Sequence, residues 1–486
     1  MRVFEIISVC TLFLTILFAL ILPKGKVFGY SFLFSLVAVI FHLIFEGIRW
    51  QMFFVYIAIP IFPILFFTKK NILRKSVWVV TFLFLVISTL FSLFFPVFTF
   101  QKLIGKYGIG TATYQFVDKS RNELFGEERN RKREIILQIW YPTSPNVNQK
   151  FTSYIENTPE LPNSLSKFFG YPSFIFSHFK YVKTNAVKEA KISNMRNNYP
   201  VLICHSGLFG SRKFNTFQIE HLVSQGYIVV GIDNSGAVAI NEFSGGRKIE
   251  SLPMNEMQAL IDQSIEDLPV IPKLNGVEMK DGIIPYFARD IYFTIDCMQK
   301  INNYDSRNLL THVVDTNKIG VLGVSLGGIV VAEAAAKDIR IKACLIMESP
   351  MTKYVMRYGL KIPTMIMARD AETMRIERKK SGGWTEKDIQ QHLYTMTKTF
   401  ERLPTDGYFV QIPGMFHVEF LDVPLWVPYG KYFGLTGSIE TEEVHNIINT
   451  FSLNFFDKEL EGKKSNFLNN PNKTFSNIIY RKNYNQ

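Results

Sequence analysis

Residues 318–328 read Lys-Ile-Gly-Val-Leu-Gly-Val-Ser-Leu-Gly-Gly, and this stretch decides the fold. An apolar strand runs into Gly-x-Ser-x-Gly, and an apolar, alanine-rich helix is predicted directly after it. Glycines two residues before and after Ser325 permit the tight strand-to-helix turn that a nucleophile elbow requires. The helix behind the turn would offer free backbone N–H groups and the positive end of its dipole. Ser325 is therefore a candidate nucleophile that needs partners elsewhere in the chain.

A serine nucleophile needs a base that accepts its hydroxyl proton, and His417 is the candidate. It follows the strand predicted over residues 408–412, and the chain order serine, acid, histidine puts the base after the last strand of a hydrolase sheet. The chain has eight histidines. The others have ordinary interpretations: His42 lies in an apolar run, His205 in a turn after a strand, His178 and His312 in polar connections, and His221, His392 and His445 in helical patterns as surface or packed residues.

Two carboxylates compete for the role of the acid that orients this histidine. Glu348 ends the strand that follows the nucleophile helix, and Asp370 ends the next strand. Both positions are expected at the carboxyl edge of a parallel sheet, where α/β proteins place their sites. Arg369 offers Asp370 a purely structural role as an ion-pair partner. The residues alone leave the choice open.

Backbone N–H groups are the predicted donors to the oxyanion. One belongs to Leu326, the residue after the candidate nucleophile, and the other to Leu208 in the turn His-Ser-Gly-Leu at residues 205–208. A simple glycine-containing loop is the alternative interpretation of that turn. The sequence contains no cluster of His, Asp, Glu or Cys with the spacing of metal ligands, so neither a metal nor a cofactor is expected.

Four long apolar runs precede this region, at residues 6–22, 27–45, 50–68 and 76–100. Each is long enough to cross the ~30 Å hydrocarbon layer of a membrane as a helix. One run could be a core helix or a cleaved signal, but four in series predict about four transmembrane helices. The positive-inside rule then places the large C-terminal part on the extracytoplasmic side of the cell membrane. That orientation depends on six loop charges: Lys24, Lys26, Lys69, Lys70, Arg74 and Lys75.

The net charge of +12 is concentrated in the same segment, because residues 1–106 hold ten Lys/Arg and two acidic residues. The rest of the chain has no basic arm or basic–aromatic stripe, which argues against nucleic-acid binding. Cys10 lies in the first apolar run, and Cys204, Cys297 and Cys344 lie in apolar strand or helix patterns. They are interpreted as core residues rather than a disulfide framework.

After residue 100, short apolar strands alternate with amphipathic helices, which predicts an α/β fold with a mainly parallel sheet. Strands are predicted over residues 135–141, 200–205, 227–233, 318–324, 341–347, 363–368 and 408–412. Helices are predicted over residues 214–224, 288–301, 329–337, 385–402 and 440–460. The expected organisation is a transmembrane segment over 1–105, a catalytic domain over 106–465 and a loosely held polar tail over 466–486, with irregular inserts at 146–198 and 236–280.

Several blocks of the chain resemble the platelet-activating factor acetylhydrolase family, serine esterases with the α/β-hydrolase fold. They are Ile-Ile-Leu-Gln-Ile-Trp-Tyr-Pro at 135–142, Tyr-Pro-Val-Leu-Ile-Cys-His-Ser-Gly-Leu at 199–208, Gln-Gly-Tyr-Ile-Val-Val-Gly-Ile-Asp at 225–233, the elbow, and Phe-His-Val-Glu-Phe-Leu-Asp at 416–422. In that family the acid lies close to 23 residues after the serine, which favours Glu348 over Asp370. The chain departs from the family in having Glu there instead of Asp, and His-Ser-Gly-Leu instead of Ser-His-Gly-Leu.

The resemblance implies calcium-independent hydrolysis of short or oxidised acyl chains at the second position of glycerophospholipids, as in a 1-alkyl-2-acetylglycerophosphocholine esterase. We therefore expect a membrane-anchored serine ester hydrolase with Ser325, His417 and Glu348 as its triad. The expected partners are a lipid or small ester substrate and the membrane, with no nucleic acid, metal or cofactor. Two alternatives stay open: a general carboxylesterase acting on soluble esters, and a non-catalytic membrane scaffold with an inert hydrolase fold.

Overall fold

The chain divides into two units in the computed structural model. The structure describes residues 1–21, 26–67, 71–128, 131–145, 150–155, 160–382, 384–404 and 406–483. Side chains are described for all of these residues except 63–67, 71–75 and 381. The helical unit comprises Met1–Thr99, Ser153–Lys183 and Leu425–Tyr429. The sheet unit comprises Phe100–Thr152, Thr184–Pro424 and Gly430–Gln486. The transmembrane segment predicted over residues 1–105 overlaps the first part of the helical unit, which ends at Thr99, and two later segments are grouped with it.

The helical unit begins with helices α1 (Val3–Ile21), α2 (Lys26–Phe41), α3 (Phe53–Phe67) and α4 (Asn71–Phe94). Among the described residues, three stretches are long and apolar enough to cross a membrane: Val3–Ile21, Lys26–Glu46 and Ser76–Phe94. The stretch Trp50–Phe62 is apolar but shorter. Leu22 and Thr68 at the ends of two predicted runs, and the loop charges Lys24, Lys69 and Lys70, lie outside the described residues.

Helix α4 ends at Phe94, although the apolar run continues to Phe100. Pro96 explains the difference, because a proline disfavours helical backbone at the residue before it. The helical unit also contains α5 (Glu160–Phe169), which lies in a segment predicted to be irregular. The segment after α5 contacts Trp50, whose indole N–H donates to the carbonyl of Ile175 at 3.3 Å. These contacts explain why residues 153–183 belong with the first helices.

The strands in the described chain are β1 (Gly108–Asn122), β2 (Lys132–Thr143), β3 (Phe151–Ser153), β4 (Lys183–Lys188), β5 (Tyr199–His205), β6 (Ile228–Ile232), β7 (Ile240–Glu242), β8 (Lys248–Glu250), β9 (Lys273–Leu274), β10 (Val277–Glu278), β11 (Val314–Val324), β12 (Ile341–Met347), β13 (Thr364–Ala368), β14 (Gly407–Gln411) and β15 (Ile479–Asn483). Eleven of them form one sheet in the order β15-β14-β13-β12-β11-β5-β6-β2-β1-β4-β3. The pairs β7–β8 and β9–β10 form two small ribbons.

The centre of the sheet is parallel. Strands β6, β5, β11, β12, β13 and β14 pair in parallel with their neighbours, while β2 and β15 pair antiparallel at either side. The prediction of a mainly parallel sheet is therefore confirmed. Because the chain runs in one direction through these strands, their carboxyl ends meet at one edge, which is called the carboxyl edge below.

Helices cover both faces of this sheet. The remaining helices are α6 (Thr216–Ser224), α7 (Met254–Ile265), α8 (Ile284–Asn303), α9 (Leu326–Ala335), α10 (Lys353–Tyr358), α11 (Ala371–Ser381), α12 (Glu386–Glu401), α13 (Val423–Trp426) and α14 (Thr441–Glu461). One buried apolar cluster includes residues of α8, α9 and α12, and a second includes residues of α6 and α14. The periodic strands and helices predicted from sequence all occur, with their ends displaced by a few residues.

The C-terminal segment differs from its prediction as a loosely held tail. Ile479–Asn483 form strand β15, which pairs antiparallel with β14. The guanidinium of Arg481 lies 4.4 Å from the ring centroid of Phe409 on that neighbouring strand. Backbone pairing, this stacking and the packing of Leu468 and Ile478 in a buried apolar cluster hold the segment in place. Residues 484–486 lie outside the described chain.

Candidate active site

Ser325 occupies a strained turn between β11 and α9. Its φ of 57° and ψ of −124° are rare for a residue with a side chain. A Cβ atom at Gly323 would lie 2.4 Å from the carbonyl carbon of Gly327, and one at Gly327 would lie 2.2 Å from the carbonyl oxygen of His205. Both positions therefore require glycine, as the nucleophile elbow predicts.

The turn after β5 contacts this elbow. A Cβ atom at Gly207 would lie 3.5 Å from the Cβ of Ser325. In the same turn the N–H of Phe209 donates to Ala237 at 2.8 Å, whereas the N–H of Leu208 has no acceptor in the part of the chain described. Leu326 is the first residue of α9, so its N–H has no intrahelical acceptor either. Two unused donors thus lie on segments that flank Ser325.

Glu348 follows β12 beside the elbow. The N–H of Ser325 donates to Met347 at 2.9 Å, and the N–H of Glu348 donates to Met367 at 2.8 Å. Glu348 also has a positive φ of 51°. The structure thus brings Ser325 and Glu348 to neighbouring strand ends on the carboxyl edge.

The Glu348 carboxylate is buried among positive and titratable groups. Its Oε2 accepts the backbone N–H of Arg369 at 2.6 Å. Its Oε1 lies 3.0 Å from both the Arg369 Nε and the His392 Nε2. Burial alone would raise the pKa of Glu348, but the Arg369 charge, then His392 and His417, outweigh it and hold that pKa below its usual value. Glu348 is therefore anionic at neutral pH.

Asp370, the alternative acid, caps a helix. Its side chain accepts the backbone N–H of Thr373 at 3.0 Å and the hydroxyl of the same residue at 2.5 Å. Asp370 is the N-cap of α11. An N-cap carboxylate satisfies N–H groups that the helix leaves free. This contact gives Asp370 a structural role.

His417 begins a short 3-10 turn after β14 and lies near Glu348 without contacting it through a hydrogen bond. Its Nδ1 is buried and has no partner among the residues described. In the same described chain no hydrogen bond joins the Ser325 hydroxyl to His417. Burial, and after it the Arg369 charge, lower the pKa of His417 to about 3, although Glu348 opposes both. His417 is therefore neutral at physiological pH.

The loop that carries His417 is anchored to the helix after the Leu208 turn. The carboxylate of Asp422 accepts the N–H groups of Thr216 at 2.9 Å and Phe217 at 3.0 Å. These residues open α6, so Asp422 caps that helix from a distant part of the chain. Glu419 accepts the N–H groups of Phe416 at 2.5 Å and Gly437 at 2.8 Å. These contacts fix both ends of the loop around the imidazole.

His392 is the site residue that sequence reasoning missed, having been interpreted as an ordinary helical residue. It lies on α12 with 2% of its surface exposed. The buried residues Ile389, His392 and Met396 follow helical spacing, which indicates the inner face of α12. That spacing could have shown that His392 is buried, but not that it contacts Glu348.

A group of potential metal ligands lies in the helical unit. Ligand atoms of Glu5, His42 and Glu46 lie within 4.8 Å of one another. Both imidazole nitrogens are already engaged, Nδ1 with Glu46 at 2.9 Å and Nε2 with the Tyr56 hydroxyl at 2.8 Å. Arg49 contacts both carboxylate oxygens of Glu5 at 2.8 Å. The arrangement is that of a neutralised polar network, whose lone pairs are already used.

The chain is similar to known ester hydrolases in sequence and in structure. A family model described as platelet-activating factor acetylhydrolase, isoform II, matches residues 94–267 and 296–476. The platelet-activating factor acetylhydrolase of Gallus gallus is 21% identical over 350 residues, covering 68% of this chain and 78% of that protein. The solved structure of a ferulic acid esterase from Streptomyces cinnamoneus matches with a TM-score of 0.59 at 21% identity, covering 79% of this chain and 99% of that chain.

These likenesses fix the fold class and the general chemistry. The structural match and the mainly parallel sheet identify an α/β-hydrolase fold. The family match and the avian relative support a carboxylic ester hydrolase of the acetylhydrolase kind. Residues 1–93 lie outside the family match, so the long apolar helices are an addition to the matched region.

Proposed function

The chain belongs to the platelet-activating factor acetylhydrolase, isoform II, family, and on this premise we propose that it is a membrane-anchored serine ester hydrolase. Ser325 is the nucleophile, His417 the general base and Glu348 the acid that orients it. The observation that carries this assignment is the strained Ser325, whose backbone N–H donates to Met347, the last residue of the strand before Glu348. A strained residue at a strand end, beside a buried carboxylate, is typical of hydrolase sites.

The reaction follows from these positions. The Ser325 oxygen attacks the ester carbonyl carbon while His417 accepts the hydroxyl proton. The N–H groups of Leu208 and Leu326 bind the resulting oxyanion. Collapse of this intermediate breaks the bond to the alcohol, which leaves with the proton from His417 and gives an acyl-serine. Water, deprotonated by the same imidazole, then releases the carboxylic acid and restores Ser325.

The imidazole must turn before this sequence can begin. Its Nδ1 has to donate to Glu348 so that Nε2 can accept the proton of Ser325. Catalytic hydrogen bonds are often loose in free enzymes and tighten when substrate binds. The Glu348 charge raises the pKa of His417, so a closer contact would make the imidazole a stronger base. Because Asp422 and Glu419 anchor the backbone of this loop, we expect only the side chain of His417 to turn.

The proposed substrate is a lipid ester with a short or oxidised acyl chain. The family supports this choice, and so do the helices Val3–Ile21, Lys26–Glu46 and Ser76–Phe94, which have the length and composition of membrane spans. With α3 they form the four-helix anchor of the proposal. Anchoring a hydrolase beside a bilayer raises its effective concentration at lipid substrates. We place the sheet unit on the extracytoplasmic side of the cell membrane, from the charges of the loops.

Active-site labelling tests the enzyme assignment. A fluorophosphonate probe should label the intact chain and should not label Ser325→Ala, because the probe reacts with an activated serine oxygen. Ser476→Ala, which removes an exposed serine, is the matched control and should retain the label. A wild-type chain that folds but takes no label would favour the inert scaffold.

Substrate comparison tests the lipid assignment. The intact protein should hydrolyse vesicles of short-acyl phospholipid as well as p-nitrophenyl acetate. Turnover of the soluble ester alone would favour a general carboxylesterase and contradict the lipid substrate. Because both assays use the same chain and the same serine, their ratio is independent of the fraction of folded protein.

A further inference from the structure

A second imidazole contacts the proposed acid. The Nε2 of His392 lies 3.0 Å from Oε1 of Glu348, and both side chains are almost fully buried. His392 comes from α12, between β13 and β14, so it reaches Glu348 from a different element than His417. The proposed triad needs only one imidazole, which leaves His392 without an assigned role.

Both imidazoles border one indole. The ring centroid of Trp384 lies 4.8 Å from that of His392, with the planes at 89°, and 6.3 Å from that of His417. The guanidinium of Arg369 lies 5.4 Å from the same indole centroid. Trp384 and the Arg369 backbone thus limit how the Glu348 carboxylate and its neighbours can move.

The carboxylate has room for both imidazoles. An ionised carboxylate offers about four lone-pair sites on two oxygens. Arg369 uses Oε2 through its backbone N–H, and His392 and the Arg369 Nε approach Oε1. The carboxylate can still accept an N–H from His417, provided that it does not rotate. His392 is the side chain that can restrict this rotation.

We propose that His392 is a positioning residue, which holds the Glu348 carboxylate in the orientation that accepts the N–H of His417. The inference rests on the proposed function of Ser325, Glu348 and His417. The Nε2 of His392 lies within hydrogen-bond distance of Glu348 Oε1, and a turn of the ring would direct its N–H at that oxygen.

The charged groups around the two imidazoles come from four elements. Glu348 follows β12, Arg369 follows β13, Glu377 lies on α11, and His392 lies on α12. Glu377 pairs with the Arg369 guanidinium and lies 3.3 Å from the backbone N–H of His417. Burial and the Arg369 charge lower the pKa of His417, and His392 adds to that lowering. Hence His392 and His417 are close enough to interact electrostatically.

The test compares His392→Gln with His392→Phe in the intact chain, using a soluble ester. Glutamine keeps an N–H donor without a titratable charge, whereas phenylalanine removes the donor. At about pH 8 we expect kcat to fall about 10-fold in His392→Phe with KM unchanged, and less than about 3-fold in His392→Gln.

Several outcomes would overturn the inference. Equal loss of kcat in both variants would show that His392 only packs. A His392→Phe chain as fast as the wild type would show that it has no role in the reaction. Gln390→Ala, at an exposed position on α12, should leave kcat unchanged, and melting temperatures show whether each variant folds. Absence of fluorophosphonate label on wild-type Ser325 would overturn the proposed function, and with it this inference.

Discussion

Each unit of the molecule buries a cluster of charged side chains, and the two clusters differ in how fully they are paired. In the helical unit Glu5 lies 2.8 Å from Arg49, and His42 bonds to Glu46 and Tyr56 through its two nitrogens. In the sheet unit, by contrast, polar atoms without a hydrogen-bond partner among the described residues include Glu348 Oε1, Arg369 Nη2, His392 Nδ1 and His417 Nδ1.

The difference separates a structural network from a proposed reaction site. A buried polar group without a partner costs free energy, so native proteins keep few of them. Proteins retain such costs mainly where function requires unused donors and acceptors. The network around Glu5 therefore holds helices together, whereas the cluster around Glu348 keeps donors and acceptors available for a substrate and a moving proton.

The largest expected effect distinguishes the two carboxylates at the carboxyl edge. Glu348→Gln should lower kcat by about 10³-fold, because the imidazole loses the charge that orients and stabilises it. Asp370→Asn is the matched control and should change kcat by less than about 3-fold, since an amide oxygen can still cap α11. Esterase kinetics on folded protein measure both. A large loss of kcat in Asp370→Asn with an unchanged kcat in Glu348→Gln would instead assign Asp370 as the acid.

The second effect concerns stability in the helical unit. Arg49→Met should destabilise the protein by about 3 kcal/mol, because Glu5 would lose a buried partner. Lys398→Met removes the exposed pair with Glu401 and should leave the stability almost unchanged, because solvent screens an ion pair at the surface. Thermal unfolding of both variants in detergent provides the comparison. The kcat of the folded fraction should be unchanged in both variants. A large loss of kcat in Arg49→Met would show that the cluster around Glu5 influences the reaction, which contradicts a purely structural role.

The third effect is a pH dependence of stability from the loop that carries His417. Burial raises the pKa of Glu419 to about 7, although the N–H groups of Phe416 and Gly437 oppose this. The folded state therefore favours the protonated form, and its contribution to stability is present below the usual carboxyl pKa and lost as pH rises through about 7.

Glu419→Gln cannot ionise, so it should gain about 2 kcal/mol of stability relative to the wild type between about pH 5 and pH 9. Melting temperatures of the two chains across that range measure the difference. A difference that stays constant with pH would show that Glu419 is ionised throughout, and that its N–H partners outweigh burial.

The smallest expected effect concerns the contact between that loop and α6. Asp422→Ala should cost about 1 kcal/mol of stability through the lost helix cap, and a few-fold in kcat through the loosened loop. Asp422→Asn keeps an acceptor for Thr216 and Phe217 and should retain most of both. If alanine and asparagine behave alike, the carboxylate does not anchor the loop.

Local patterns predicted the fold well, since each strand and helix leaves its own periodicity in the sequence. Ser325 was found because glycines at fixed offsets are a short-range requirement of its turn. His417 followed from chain order and Glu348 from the family resemblance, and their joint role remains a prediction. Sequence periodicity can therefore place a residue on an element, but does not determine its distant contacts.

Long-range contacts account for what could not be predicted. His392 reaches Glu348 across 44 positions of chain, and nothing near either residue encodes that approach. Strand β15 forms through pairing with β14, and its five residues are too few to give a periodic pattern of their own. Residues 153–183 join the helical unit through aromatic contacts such as Trp50 with Phe174, whose ring centroids are 5.3 Å apart. Each of these depends on three-dimensional proximity rather than on a local pattern.

An experimental structure of the intact chain after reaction with a phosphonate ester would test the central assignment most directly. Our account predicts a phosphorus atom bonded to the Ser325 oxygen, with a phosphoryl oxygen accepting the N–H groups of Leu208 and Leu326. It also predicts that the Nδ1 of His417 donates to Glu348. A phosphonate on another residue, or an adduct on Ser325 with His417 still turned away from Glu348, would contradict it.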